Sequence, residues 1–218
     1  SIVATVLGVV VMAMLAYPLS RPNYKYKKIA TFFIFFTMLF SGGLIPTYIW
    51  ITRYLHLGDT IWVYILPCLV NAFHVIVIRS FFQGLPQALM ESAKIDGASE
   101  LQTFFKIVMP LSKPVIATIS LLTLLSRWND WNTALIYIKS SNLYSLQYLL
   151  QKILREAEFV KNMADSSPVA GMDLDLSNLP SVTIRFAMCM VAAGPMLIIF
   201  PFFQKYFAKG LTVGAVKG

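Results

Sequence analysis

Charge is what this sequence has least of. Only 13% of its 218 residues are Asp, Glu, Lys or Arg, about half the roughly 25% with which a soluble domain faces water. That supply is too small to cover a core of this size, so a water-soluble globule is excluded. Histidine is almost missing: His56 and His74 stand far apart, too few and too separated for a metal site. The two cysteines, Cys68 and Cys189, each sit inside an apolar run with no CxxC or ligand spacing, and read as small buried hydrophobes. No GxxxxGK[ST] phosphate loop occurs, so ATP is not handled by this polypeptide. Nor does any motif assemble Ser, His and Asp into a triad, which makes a membrane enzyme remote. No basic, Met-led signal segment is visible.

What is present is apolar: 57% of the residues are hydrophobic, and the mean hydropathy is +0.68. Five runs stand out, Ile2 to Tyr17, Ile29 to about Trp50, Ile61 to Phe82, about Val115 to Ile138 and about Val182 to Tyr206. Each approaches the roughly 20 residues of a spanning helix. The expected fold class is therefore all-α, a polytopic transmembrane bundle forming one domain over residues 1–218.

The net charge of +8 lies beside these runs, which excludes nucleic acid as the reason for it and orients the spans instead. Arg21, Lys25, Lys27 and Lys28, then Arg79, Lys94, Lys106 and Lys113, then Lys205, Lys209 and Lys217 fall on one side if the spans alternate. That side is expected to be cytoplasmic and to hold the C-terminus. The other side has Arg53, Lys139, Lys152, Arg155 and Lys161, with most of the acids. Five spans of this polarity predict a sixth upstream, with both ends in the cytoplasm.

The second run is broken by "SGGLIP", Ser41 to Pro46. Two readings fit: a helix broken at a transport pathway, where protein or water covers freed backbone, or a helix end followed by a short interfacial helix carrying Tyr48, Trp50 and Tyr54. The outer segment of about 139–180 opens with helical apolar spacing at Leu146, Leu149, Leu150, Ile153 and Leu154 and continues as loop. It is either a docking surface for an external partner or a solvated lid.

One polar stretch interrupts this pattern, "LPQALMESAKIDGASELQTFFKIVMPLSKP", residues 85–114. Pro86 suits a first helical turn, "QALMESAKI" is helix-forming, and Asp96-Gly97 marks a turn or C-cap. A second helix, "ASELQTFFKIVM", is expected up to Pro110. Ala88, Ser92 and Ala93 are small enough for close approach of another surface, and Phe104, Phe105 and Ile107 are expected to anchor the second helix to its own bundle. Physics alone stops at a docking element on the basic side.

These residues resemble a known family. Glu91-Ser92-Ala93, Asp96-Gly97, Ile107 and Pro110 match the "EAA…G…I-LP" loop of ABC importer permeases, with Gly97 four past Ala93 and Pro110 thirteen past Gly97. Ser92 and Met109 depart from the usual Ala and Leu by small or isosteric changes. "RWNDWNTAL", Arg127 to Leu135, resembles the "WNEF" region of maltose-transporter-type sugar permeases, and "FFQKYFAKGLTVGAVKG" resembles their tail. "SGGLIPTY" and "GLPQALMESAKIDGAS" are similar to the oligosaccharide and polysaccharide-fragment branch.

The resemblance implies a type I importer in the bacterial inner membrane. This permease would pair with a second homologous one. Two cytoplasmic ATPase subunits, holding ATP and Mg, would receive its coupling helix, and an external substrate-binding protein would deliver sugar. No cofactor is expected in this chain.

Polar groups inside an apolar run are costly and point to function. Arg127, Trp128, Asn129, Asp130, Trp131 and Asn132 are the candidates for the substrate pathway, with aromatic faces for sugar rings and polar groups for hydroxyls. Equally, the tryptophans suit an interfacial belt, and Arg127 and Asp130 suit an i,i+3 pair on one helix. Arg185 joins Arg127 as a second cation, a hint of an anionic, uronate-type sugar. Asn71 and His74 read as helix-to-helix hydrogen bonding. The alternatives are an ABC importer for a non-sugar solute and, leaving the polar insert unexplained, a secondary transporter or channel.

Overall fold

The computed structural model describes residues 1–166 and 181–215, and for some positions, chiefly near the C-terminal end, the backbone alone. The described residues are helical throughout, with short connections and no strand. The helices are α1 (Ile2–Ser20), α2 (Lys27–Leu39), α3 (Leu44–Ile49), α4 (Ala72–Gln83), α5 (Gln87–Ile95), α6 (Glu100–Thr103), α7 (Met109–Leu111), α8 (Lys113–Trp128), α9 (Asn132–Tyr137), α10 (Leu146–Ser166) and α11 (Ser181–Ala215). Two stretches, Ile2–Ser20 and Phe186–Phe203, are long and apolar enough to cross a membrane unaided, and three more candidates are bent helix pairs. Among the described residues that makes up to five spans, the number expected from the apolar runs.

Helix α1 is the axis of the core. It packs on α4 and α8, and α8 packs on α11. Its buried face repeats through Ala4, Gly8, Met12 and Ala16, with Thr5, Val9, Ala13 and Tyr17 beside them. Small residues at four-residue intervals let helices approach closely where no hydrophobic force drives them together. A Cβ at Gly8 would sit 3.2 Å from the Leu69 carbonyl oxygen, so glycine is what admits that backbone. Val75, Ile78, Phe82, Val115 and Ile119 complete the cluster. Helix α2 is the converse: it buries no residue, and Phe32, Phe33 and Phe36, with Phe40 just beyond its end, stand exposed.

Breaks shape three of the expected runs, the earliest where Ser41–Pro46 announced it. The second breaks at Phe40–Gly43, where Gly43 has φ +87°, and the chain turns by 113° into α3 and a π-helical turn at Trp50–Tyr54. Tyr48, Trp50 and Tyr54 ride on that short segment, and Tyr48 stacks on Tyr137 at 5.7 Å. The third starts as 3-10 turns at Ile61–Tyr64 and Leu66–Cys68 and bends by 46° into α4. The fourth, expected to reach Ile138, ends at Trp128, and α9 follows as a separate helix.

At the α9 end of the bundle Asp59 closes a clip. Its carboxylate accepts from the Ser140 hydroxyl at 2.6 Å and from the Lys139 and Ser140 amides, both at 2.9 Å. The Ser140 bonds hold the Asp59 carboxyl below its ordinary pKa. The helix expected after Lys139 is α10; residues 167–180 lie outside the described residues.

Candidate functional site

The polar stretch folds as two short helices across a tight turn. Pro86, at φ −58°, leads into α5. Where α5 ends, the Ala98 amide donates to Ala93 O at 2.9 Å and the Gly97 amide to Lys94 O at 3.1 Å, a Schellman ending with Gly97 in the left-handed region at φ +75°. A Cβ at Gly97 would meet nothing within 4 Å, so its glycine serves the backbone angle and not a close contact. Ser99 then opens α6 with a capping box: Gln102 N donates to Ser99 Oγ at 3.2 Å, and Ser99 N donates to Gln102 Oε1 at 2.9 Å.

The side chains divide by face. Glu91, Ser92, Asp96 and Gly97 are exposed. Ala93 is not: at 6% exposure it lies with Met90 on the inner face of α5, so it seats α5 on its own bundle and offers no outward contact surface. The second helix continues from α6 through a π-helical turn at Phe104–Val108 into α7, carrying past Pro110 to Leu111. Phe104 and Val108 are buried, Ile107 half-buried and Pro110 exposed, while Phe105 is 51% exposed. Phe104 and Val108, four apart, face inward together, so Val108 anchors where Phe105 was expected to.

A polar joint ties this loop to α1. The Tyr17 hydroxyl donates to Glu100 Oε2 at 2.8 Å, Lys94 Nζ lies 3.0 Å from Oε1 and Arg21 4.0 Å from Oε2. The Tyr17 hydrogen bond first, then Lys94, holds the Glu100 carboxyl below its ordinary range. The Arg21 guanidinium covers the Tyr17 ring at 4.4 Å and reaches Met90 Sδ and the Tyr17 hydroxyl. Sequence spacing gave no route to a pair 83 positions apart. The one signal was charge: Glu91, Asp96 and Glu100 are the only acids beside the basic loops.

At the other end of α8 the aromatic cluster does not form one surface. Trp128 Nε1 donates to Ala192 O at 2.8 Å and so binds α8 to α11. The Asn129 side chain donates to Leu125 O at 3.0 Å, closing α8. Asp130 accepts from Thr133 N at 3.0 Å and Thr133 Oγ1 at 2.7 Å, a side-chain turn that leads into α9. Arg127 and Asp130 do pair, at 3.9 Å and partly buried, but across the helix break and not along one helix. Arg127 Nε is buried with no partner.

A cavity of about 380 Å³ collects Arg127, Trp128 and Asp130 with Tyr64, Tyr144 and Ser145. The last three were not among the expected residues. Trp131 faces a separate groove with Tyr148 and Arg155, whose guanidinium lies 5.3 Å from the Trp131 ring centre. Asn132 begins α9 and lines neither. Arg185 belongs to the start of α11, and its side chain lies outside the described residues. Asn71 instead caps its own helix, α4, by accepting from the His74 amide at 3.1 Å, and of the two only His74 reaches another helix, its ring lying 3.4 Å from Thr123 of α8.

Residues 2–213 match the model of a family described as binding-protein-dependent transport system inner membrane component. The polygalacturonan/rhamnogalacturonan transport system permease protein YtcP of Bacillus subtilis is 41% identical over 224 residues, covering all of this chain and 74% of that protein. Protein LplC of the same organism is 42% identical over 222 residues, covering all of this chain and 72% of its own length. A crystal structure of a bacterial ABC transporter that imports the acidic polysaccharide alginate contains a chain 30% identical, with a TM-score of 0.74 over 93% of this chain and 71% of that one.

Proposed function

The chain belongs to the binding-protein-dependent transport system inner membrane components, and on that footing we propose that it is the permease through which acidic oligosaccharides cross the membrane. The observation that carries the substrate class is 41% identity, over the whole chain, to a permease for polygalacturonan and rhamnogalacturonan. The Arg127 cavity supports it. At 3.9 Å the Arg127–Asp130 contact is too long for a hydrogen bond, so the guanidinium that lines the cavity is not committed to that carboxylate and can pair with a uronate one. A neutral oligosaccharide is the second reading, favoured by the single carboxylate that already faces Arg127.

Coupling is assigned to the loop at the basic end. Glu91, Ser92 and Asp96 form the exposed face of α5 that seats in an ATPase subunit. Gly97 sets the reversal, Ala93 fixes α5 inward, and Ile107 and Pro110 carry the return to α8. ATP and Mg belong to two ATPase chains, whose closure moves this helix and that of a second permease. An external binding protein releases its sugar as the pathway opens outward. The basic end and the C-terminus lie in the cytoplasm.

The test is ATP hydrolysis by the assembled complex in lipid, with its binding protein, against neutral and uronic oligosaccharides. Stimulation by uronic oligomers, lost selectively in Arg127→Gln, is the expected result. Stimulation by neutral oligomers alone, unchanged in Arg127→Gln, would overturn the acidic assignment.

A further inference from the structure

If α5 is the helix that an ATPase moves, its displacement must enter the bundle somewhere. One route is the chain itself, through α6, the π turn and α7 into α8. The others are not covalent: the buried Met90 and Ala93 face of α5, which packs on the bundle, and a polar one that runs through Glu100. This residue opens α6 and binds Lys94 of α5 on one oxygen and Tyr17 of α1 on the other. Beneath it the Tyr17 and Phe104 rings meet at 5.2 Å.

Stability does not explain this arrangement. The Lys94 and Glu100 side chains are 66% and 55% exposed, and exposed ion pairs contribute little to folding. The tie is instead geometric: a carboxylate on the moving loop is held by the hydroxyl of a tyrosine that is itself 9% exposed. Beside it a cleft of about 520 Å³, lined by Tyr17, Arg21, Met90, Glu91, Lys94 and Glu100, separates the end of α1 from the outer part of α5. Side chains bridge that gap where close packing does not. Since α1 is packed on both α4 and α8, whatever moves α1 moves the core.

We infer that the Tyr17–Glu100 pair is the joint through which displacement of α5 is delivered to α1, and that both are positioning residues for transport. This rests on the reading of α5 as the ATPase-docking helix.

The test uses the full complex with its ATPase and binding protein in proteoliposomes, and reads oligosaccharide imported per ATP hydrolysed. Tyr17→Phe keeps the ring against Phe104, and Glu100→Leu removes both acceptor oxygens from an exposed side chain, so both cut the tie and spare the packing. Each is expected to lower the ratio about fivefold or more, the scale of an ordinary coupling between sites. The double variant should be no worse than either single one, because both cut the same tie. An unchanged ratio in both single variants would overturn the joint.

A second construction separates transmission from mere structure. Tyr17→Cys with Glu100→Cys, in a background with Cys68 and Cys189 replaced by Ser, should show a low ratio when reduced and a recovered one when a short thiol cross-linker bridges the pair. Equal ratios in the reduced and bridged forms would overturn it. Absence of import and of sugar-stimulated hydrolysis in the wild-type complex would instead defeat the transport reading itself, a result distinguishable from a variant that matches a working wild type.

Discussion

Replacing Gly97 should separate ATP hydrolysis from transport without dissolving the bundle. The perturbation is local by construction. Gly97 has φ +75° and ends α5 through two hydrogen bonds, at 2.9 and 3.1 Å. Its missing side chain would point into space with nothing within 4 Å. An L-residue there pays only the left-handed backbone cost, roughly 1–2 kcal/mol, with Asn paying least. That is a factor of about 5–30 in an equilibrium, enough to swing α5 out of its seated orientation in much of the population. It is small beside the burial of Phe104, Val108 and α1, which this substitution does not reach. For a chain of this size the shift in thermal midpoint is bounded at about 2–4 °C per kcal/mol. The assay is paired uptake and hydrolysis by the reconstituted complex for Gly97→Asn, Gly97→Ala and Gly97→Arg. Sugar imported per ATP should fall in that order, while assembly with the ATPase persists. Full coupling in Gly97→Arg would refute the reasoning, as would an Asn variant worse than Ala.

Three further outcomes follow from packing and charge. Phe104→Ala removes a side chain that is 1% exposed and should cost about 3–5 kcal/mol, whereas Phe105→Ala should cost little; thermal unfolding in detergent compares them. Trp128→Phe deletes the hydrogen bond to Ala192 O and should cost about 0.6 kcal/mol, the usual size within a membrane bundle, visible as a lowered midpoint. The Asp59 carboxyl is held below its ordinary pKa. Its contribution is therefore full above an unfolded-state value of about 3.9 and disappears as pH falls through the lower folded value. Asp59→Asn should flatten that acid limb of stability, read by unfolding midpoints across pH.

Much of this fold was legible because apolar length is a one-dimensional property. The runs and the lysine and arginine clusters beside them report spans directly, and the turn at Asp96-Gly97 announces itself by residue type. What was hidden depends on which way a side chain points. Ala93 is small enough for either face of α5, and only the packed bundle turns it inward with Met90. Phe104 and Phe105 are equally apolar neighbours, and only the packed bundle settles that Phe104 faces in and Phe105 out. The break after Trp128 was hidden because Asn129 and Asp130 lie within an apolar run, although Asn and Asp are residues that favour helix ends and turns. The Tyr17–Glu100 bond joins distant positions, and no spacing rule reaches it.

The central assignment, import of acidic oligosaccharides through this permease, is tested most directly by uptake. The complete complex in proteoliposomes, loaded with ATP on the ATPase side and supplied with its binding protein, would be offered labelled galacturonate oligomers and size-matched neutral ones. Accumulation of the uronic oligomers, dependent on ATP and abolished in Gly97→Arg, is the expected result. Accumulation of the neutral oligomers alone, or of uronic oligomers without ATP, would contradict it.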